Sequence, residues 1–276
     1  ILLLLKMKNI FLTVIFIFSC ITDSVADDNK ILIQSTTSTR DSGFYEYILP
    51  HFYKSHDITV SVVSVGTGQA IKNASRCDGD LLIVHSPALE KKFMASGYGL
   101  LRNNLMYNNF IIIGPEDDPV NINSSSSILN VFSKIYSSKY KFISRGDDSG
   151  THSREKDIWK LLDLDTSNFS NDWYLESGQG MGATVNIAIG LDAYTLVDQA
   201  TWLRFTNKSN HTSLFERDDN NLLNQYGIIT INPAKCPNLN HNSAKIFYDW
   251  ILSAKAQALI DRFMIDGARV FRSNID

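Results

Sequence analysis

A guanidinium, two hydroxyls and two glycines stand together in Arg145-Gly146-Asp147-Asp148-Ser149-Gly150-Thr151. These residue types suit the holding of an anion. Arg145 carries a permanent charge and can donate two parallel hydrogen bonds. Ser149 and Thr151 add hydroxyl donors, and Gly150 lacks the Cβ that would keep an anion off the backbone. The elements around the stretch follow from its flanks. The apolar run from Lys139 to Ile143 reads as a strand, and Ile158, Trp159, Leu161 and Leu162 recur at helical period. The turn therefore sits at a helix N-terminus, whose unpaired N–H groups favour negative charge. A plainer reading stands beside this one: Ser149 or Thr151 simply caps the helix.

The same device recurs three times. Lys30 to Gln34 reads as a strand running into Ser35, Thr36, Thr37, Ser38 and Thr39. Phe44, Tyr47, Ile48 and Phe52 then mark a helix capped by Asp41 or Ser42. Ile58 to Val65 is a β-branched strand ended by Gly66-Thr67-Gly68-Gln69, with a helix after it. A short strand within Asp172 to Glu176 leads into Ser177-Gly178-Gln179-Gly180-Met181-Gly182-Ala183-Thr184, and helical patterns follow from Val185 to Phe205. The glycine spacing here matches neither a P-loop nor a dinucleotide fingerprint.

Between these units lie a strand from Asp80 to Val84, ended by His85-Ser86-Pro87, and a helix from Ala88 to Ser96. A strand over Asn109 to Gly114 and a loop over Glu116 to Ser127 come next. A loop over Thr206 to Asn221, a strand over Tyr226 to Asn232 and a helix from Ala244 to Phe263 complete the chain. Strands alternating with helices predict an α/β class with mostly parallel sheets. Ligands of such sheets sit beyond the strands' carboxyl ends, where all four polar turns lie.

The chain has 276 residues, with 26 basic against 29 acidic, which leaves no electrostatic footprint for nucleic acid. Its first 26 residues read as a signal peptide. Lys6-Met7-Lys8 is basic, Ile10 to Phe18 is apolar apart from Thr13, and Ser24-Val25-Ala26 fits a cleavage site. Met7 is the expected start. A rival reading makes Ile17-Phe18-Ser19-Cys20 a lipoprotein signal with Cys20 acylated. Cleavage after Ala26 leaves 24 basic and 28 acidic residues. An acidic protein that binds an anion must rely on local donors. Cys77 and Cys236 remain, and an oxidising compartment permits a bridge between them without requiring one.

Four such turns in an exported chain resemble the tungstate-binding, TupA-type solute receptors of ABC importers. The resemblance is carried by Ser35-Thr36-Thr37-Ser38, Val65-Gly66-Thr67-Gly68-Gln69-Ala70, and Asp80 to Pro87. Met106 to Phe110, Ser144 to His152, Gly180-Met181-Gly182, Leu196 to Thr201 and Tyr226-Gly227 complete it. It covers nearly all of Ile31 to Phe271 and departs at Arg76-Cys77-Asp78-Gly79. It implies a type II periplasmic-binding-protein fold: two α/β lobes joined by two crossing strands, near Phe110 to Ile113 and Gln225 to Ile229. Residues 27–110 and 228–276 would form lobe 1, and 111–227 lobe 2. The oxyanion would be held by Ser35, Thr36, Thr37, Ser38, Thr67, Gly68, Arg145, Ser149, Gly150, Thr151, Gly180, Met181, Gly182 and Ala183. The implied ligand is tungstate, with molybdate next. The implied partner is a transporter permease. No cofactor, metal, nucleic acid or lasting membrane insertion is implied, and the receptor is expected to act as a monomer.

Two rivals remain. A phosphate receptor would use similar turns, but phosphate keeps a proton near neutrality and needs an acceptor in its site. Asp147 and Asp148 are therefore expected to turn away, pairing with Arg145 or with backbone N–H groups. A serine hydrolase would use Ser149 as nucleophile with His152. The chain has no Gly-x-Ser-x-Gly elbow, and His152 is expected as an exposed first-turn residue. Arg145 is likewise expected in a surface turn.

Overall fold

The computed structural model describes residues 29–274; the expected signal peptide and Cys20 lie outside them. In chain order the elements of the first lobe are β1 (Lys30–Thr36), α1 (Thr37–Asp41), α2 (Phe44–His56), β2 (Thr59–Val65), α3 (Thr67–Ala74), β3 (Leu81–Val84) and α4 (Pro87–Ala95). The long strand β4 (Gly99–Pro115) leads into α5 (Ile128–Ser138), β5 (Phe142–Ser144), α6 (Gly150–Leu161), β6 (Tyr174–Glu176), α7 (Met181–Gly190), β7 (Tyr194–Asp198), α8 (Gln199–Arg204) and β8 (His211–Phe215). The chain returns along β9 (Leu223–Ile231) to α9 (His241–Ile251), α10 (Ala254–Arg262), a β10–β11 hairpin (Met264–Ile265, Ala268–Arg269) and β12 (Arg272–Ser273).

The two-lobed α/β fold with two crossing strands is the one observed. Its strands join in one ten-stranded sheet, in the order β2-β1-β3-β9-β4-β7-β5-β6, with β8 and β12 also on β4. The sheet is mixed where a mostly parallel one was expected. β1 pairs in parallel with β2 and β3, and β5 with β6 and β7. Every pairing of β4 and β9 is antiparallel. These two strands run between the lobes in opposite directions, which reverses the direction of everything they join. β4 is 17 residues long because the polar segment before Asn109 belongs to it as well.

Hydrophobic burial follows the same division. One core gathers Ile33, Phe44, Phe52, Ile83, Tyr226, Phe247 and Phe271. The other gathers Phe110, Phe132, Phe142, Trp159, Tyr194 and Phe215. The short helix α8 straddles them: Ala200 and Leu203 pack into the first core, whereas Trp202 and Phe205 face the second lobe.

Several local expectations change. The stretch read as helical from Val185 to Phe205 contains the fully buried strand β7. The loop expected over Thr206 to Asn221 contains β8, and the helix expected from Ala244 to Phe263 breaks where Ser253 caps α10. The hydroxyl run after β1 begins a separate one-turn helix. Gly43, at φ +77°, is the N-cap of α2, and Ser42 Oγ accepts from Phe44 N at 3.3 Å. The Cys77–Cys236 disulfide forms, tying the end of α3 to the turn after β9. No helix of the described residues is long and apolar enough to cross a membrane.

Candidate functional site

Each of the four turns lies at the carboxyl end of a strand, and the fold brings them together across the seam between the lobes. A Cβ built on Gly66 would lie 3.7 Å from the Asp147 carbonyl oxygen, and one on Gly68 3.7 Å from that of Asp148. On the other flank, a Cβ on Gly180 would lie 4.0 Å from Thr37 Oγ1. The seam is closed.

Helix N-termini supply the first set of donors. The first turn of a helix leaves N–H groups with no partner inside the helix. Thr36, Gly66 and Gly180 are the N-caps of α1, α3 and α7, and none caps through its side chain. At α6 the plain reading holds for Ser149: its Oγ accepts from His152 N at 3.2 Å. Thr151 differs. Its Oγ1 is buried and has no hydrogen-bond partner, as does Thr67 Oγ1.

Arg145 is not in a surface turn. It is 2% exposed, because the turns from both lobes cover it. Its Nε donates to the Gln179 carbonyl oxygen at 2.8 Å, and one terminal nitrogen, Nη2, pairs with Asp147. Nη1 is buried without a partner. The edge of the fork formed by Nε and Nη2 is therefore engaged, leaving Nη1 as the donor available to an anion. Both Asp147 oxygens are occupied too, since Oδ1 accepts from Ser149 N at 3.2 Å. Asp148 has φ +53° and a side chain 92% exposed. Asp147 thus pairs with Arg145 and with a backbone N–H, but its Oδ2 still faces the seam, 3.9 Å from a Cβ built on Gly66, whereas Asp148 points to solvent.

The remaining residues of the predicted set contribute less visibly. Ser35 Oγ bonds Tyr45 OH at 2.5 Å, and Thr36 Oγ1 bonds Thr39 Oγ1 at 3.0 Å. Ser38 is buried, Thr37 and Gly68 are half-buried, and Gly180 and Gly182 are half-buried. Met181 packs into the second lobe's core, and the side chain of Ala183 is exposed, so only the backbone N–H groups of these two could serve. Gly150 has a different reason to be glycine from the one expected. Its missing Cβ would lie 2.6 Å from the His85 carbonyl oxygen, so the space is taken by the other lobe.

His152 is 5% exposed, where an exposed residue was expected. Its Nδ1 accepts from Asp148 N at 3.1 Å, so the ring turns back over the turn and makes no bond to Ser149 Oγ. Burial, then Lys156, lowers its pKa, against the opposing pull of Glu176, Asp148 and Asp147. The nucleophile–base contact of a hydrolase is absent.

Sequence reasoning missed two groups near the site. His85 ends β3 by the same strand–turn–helix pattern, but its turn has one hydroxyl and no glycine. Asp198 ends β7 and caps α8: Oδ1 accepts from Thr201 N at 2.9 Å and Oδ2 from Thr201 Oγ1 at 2.7 Å. Burial raises its pKa, and those bonds and Arg145 oppose the rise. Among the described residues no group of His, Cys, Asp and Glu could hold a metal ion.

Known proteins resemble this chain in sequence and in fold. Residues 23–255 match the PBP superfamily domain. The chain is 42% identical over 249 residues to the tungstate-binding protein TupA of Peptoclostridium acidaminophilum, covering 89% of this chain and 86% of that protein. It superposes on the tungstate ABC transporter structure from Geobacter sulfurreducens with a TM-score of 0.79 at 37% identity, covering 86% of this chain and 99% of that one. For the tungstate-binding protein TupA from Desulfovibrio alaskensis G20 the TM-score is 0.77 at 36% identity, covering 90% and 99%.

Proposed function

The chain belongs to the PBP superfamily and, within it, to the tungstate-binding TupA proteins, and on that premise we propose that it captures tungstate between its lobes and delivers it to the permease of an ABC importer. It is a binding protein and not an enzyme. The single observation that carries the ligand reading is the set of buried, unpartnered donors at one seam: Thr67 Oγ1, Thr151 Oγ1 and Arg145 Nη1. Burying such groups costs free energy unless something accepts from them. An oxyanion does so for all three, and the uncapped starts of α1, α3 and α7 add backbone donors. Ser35, Thr36, Thr37, Ser38, Gly68, Ser149, Gly150, Gly180, Met181, Gly182 and Ala183 line the same turns and complete the proposed site. The proposed lobes are residues 27–110 with 228–276, and residues 111–227.

Tungstate is preferred to phosphate on acceptor grounds. Tungstate carries no proton near neutrality, whereas phosphate carries one or two. Each oxygen of Asp147 and of Asp198 already accepts a donor. Part of the acceptor capacity of both carboxylates is thus taken up inside the protein, which favours a ligand that brings no proton. The receptor is proposed to act as a monomer outside the cytoplasmic membrane, released by signal cleavage or anchored through Cys20. The disulfide supports export to an oxidising compartment.

Native mass spectrometry with tungstate, molybdate, sulfate and phosphate tests the ligand. The expected result is a tungstate adduct, with molybdate weaker or equal. Competition calorimetry in which phosphate displaces tungstate at comparable concentration would overturn the assignment.

A further inference from the structure

A buried polar chain lies where the lobes are hinged. His85 is 3% exposed, Asn108 4% and Asn224 1%. Asn108 on β4 and Asn224 on β9 are direct register partners, one on each crossing strand. Asn224 Nδ2 donates to Asn108 Oδ1 at 2.8 Å and to Tyr226 OH at 3.2 Å. In this arrangement its Oδ1 faces His85 Nδ1 at 2.7 Å. With the amide so oriented, the imidazole carries its proton on Nδ1 and donates. The ring also stacks on Tyr226, with centroids 4.8 Å apart and an interplanar angle of 14°.

The other side of His85 meets the second lobe. A Cβ on Gly150 would lie 2.9 Å from His85 Nδ1 and Cε1, besides its clash with the carbonyl oxygen. The first residue of α6 is therefore seated on His85, and that seat exists only while the lobes meet. In the proposed receptor, opening would turn the lobes about β4 and β9, where the ring's hydrogen-bond partner sits.

We infer that His85 is a positioning residue for ligand capture: by donating to Asn224 and receiving Gly150, it couples the angle of the crossing strands to the placement of the Ser149–Thr151 donors. The inference rests on the oxyanion-receptor reading. It accounts for a histidine buried at the seam, and for the need of glycine at position 150.

The test compares the full chain with His85→Leu, which keeps bulk without a donor, and His85→Asn, whose amide can donate from about the Nδ1 position. Calorimetry and stopped-flow mixing with sodium tungstate give affinity and dissociation rate. His85→Leu should weaken binding about tenfold, through faster release, and His85→Asn should recover most of the loss. A purely space-filling role would leave the leucine variant at wild-type affinity, and that result overturns the inference, as does an asparagine variant no better than leucine. Should the leucine variant fail to fold, 15N spectra of the wild-type imidazoles decide. A neutral Nδ1–H ring at pH 7, shifted by tungstate, supports the coupling; a ring that does not respond overturns it. Wild-type protein that binds no tungstate sinks the ligand reading instead, and the ligand-free Nδ1–H signal then still reports whether the ring donates to Asn224.

Discussion

Replacing Thr151 with valine keeps the shape of the side chain and removes a hydroxyl that is buried with no partner. The two consequences should have opposite signs. In the ligand-free protein nothing is broken, and an unsatisfied polar group in the closed form is exchanged for a methyl. The variant should melt no lower than wild type, and higher by up to about 3 °C if the change is worth about 1 kcal/mol. With ligand, a hydrogen bond to a charged partner is lost, worth about 1.5–3 kcal/mol. That corresponds to about a 10- to 150-fold rise in Kd. Thr67→Val should behave alike, since Thr67 Oγ1 is in the same state on the opposite lobe. Calorimetric titration with tungstate and thermal denaturation of the same samples read both quantities. A variant that melts several degrees lower yet binds as wild type would refute the reasoning, because the hydroxyl would then have served the fold and not the ligand.

Arg145→Ala should cost tungstate binding about 2–5 kcal/mol, and its burial predicts a stability loss as well, because Asp147 and the Gln179 carbonyl lose their partner; wild-type affinity by calorimetry would remove Arg145 from the site. Glu155 accepts from Trp159 Nε1 at 3.1 Å and Tyr174 OH at 2.7 Å, and burial pushes its pKa up to about 7. A carboxyl raised in the folded state stabilises most below its unfolded pKa, so this contribution is lost as pH rises from about 4.5 to 7, on the order of 3 kcal/mol in all. His85, lowered to about 4 by burial, pulls the other way over part of that range. The difference in melting temperature between Glu155→Gln and wild type should therefore be the quantity that changes with pH, and a flat difference would refute the assignment. Reducing the Cys77–Cys236 bridge, which spans 159 residues of chain, should destabilise by about 2–5 kcal/mol. Tungstate should still bind at temperatures where the reduced protein is folded, because both cysteines lie in the first lobe away from the four turns.

The four strand–turn–helix units were legible because glycine and hydroxyl residues punctuate them sharply between apolar runs. Within each lobe, parallel units place their turns at the same strand ends, but that these ends face each other depends on the antiparallel crossing strands, which the turns themselves do not reveal. β7 was hidden for the opposite reason. Ala193 to Val197 is apolar and sits between helical patterns, and periodicity cannot separate a buried strand from a buried helix there. The burial of Arg145 and His152 could not be read, because polar turns look exposed until the lobe that covers them is known. Gly150 shows the same limit. Its need for glycine was visible, but the atom occupying the space belongs to His85, far away in the chain. The network of His85, Asn108 and Asn224 is a product of tertiary pairing alone, with no local pattern to announce it.

The pairing of Arg145 with Asp147 has a kinetic consequence. The site's one fixed cation is balanced by an adjacent carboxylate, and the remaining donors are neutral hydroxyls and backbone amides. An approaching dianion meets a protein with more acidic than basic residues. Long-range attraction therefore contributes little to the encounter. Association should proceed at an unsteered rate and vary little with ionic strength, because dipoles and short hydrogen bonds act within a few ångströms, inside the reach of salt screening. Selectivity among oxyanions of equal charge must then appear in how long each stays, so that residence time, and not capture rate, separates cargo from passers-by.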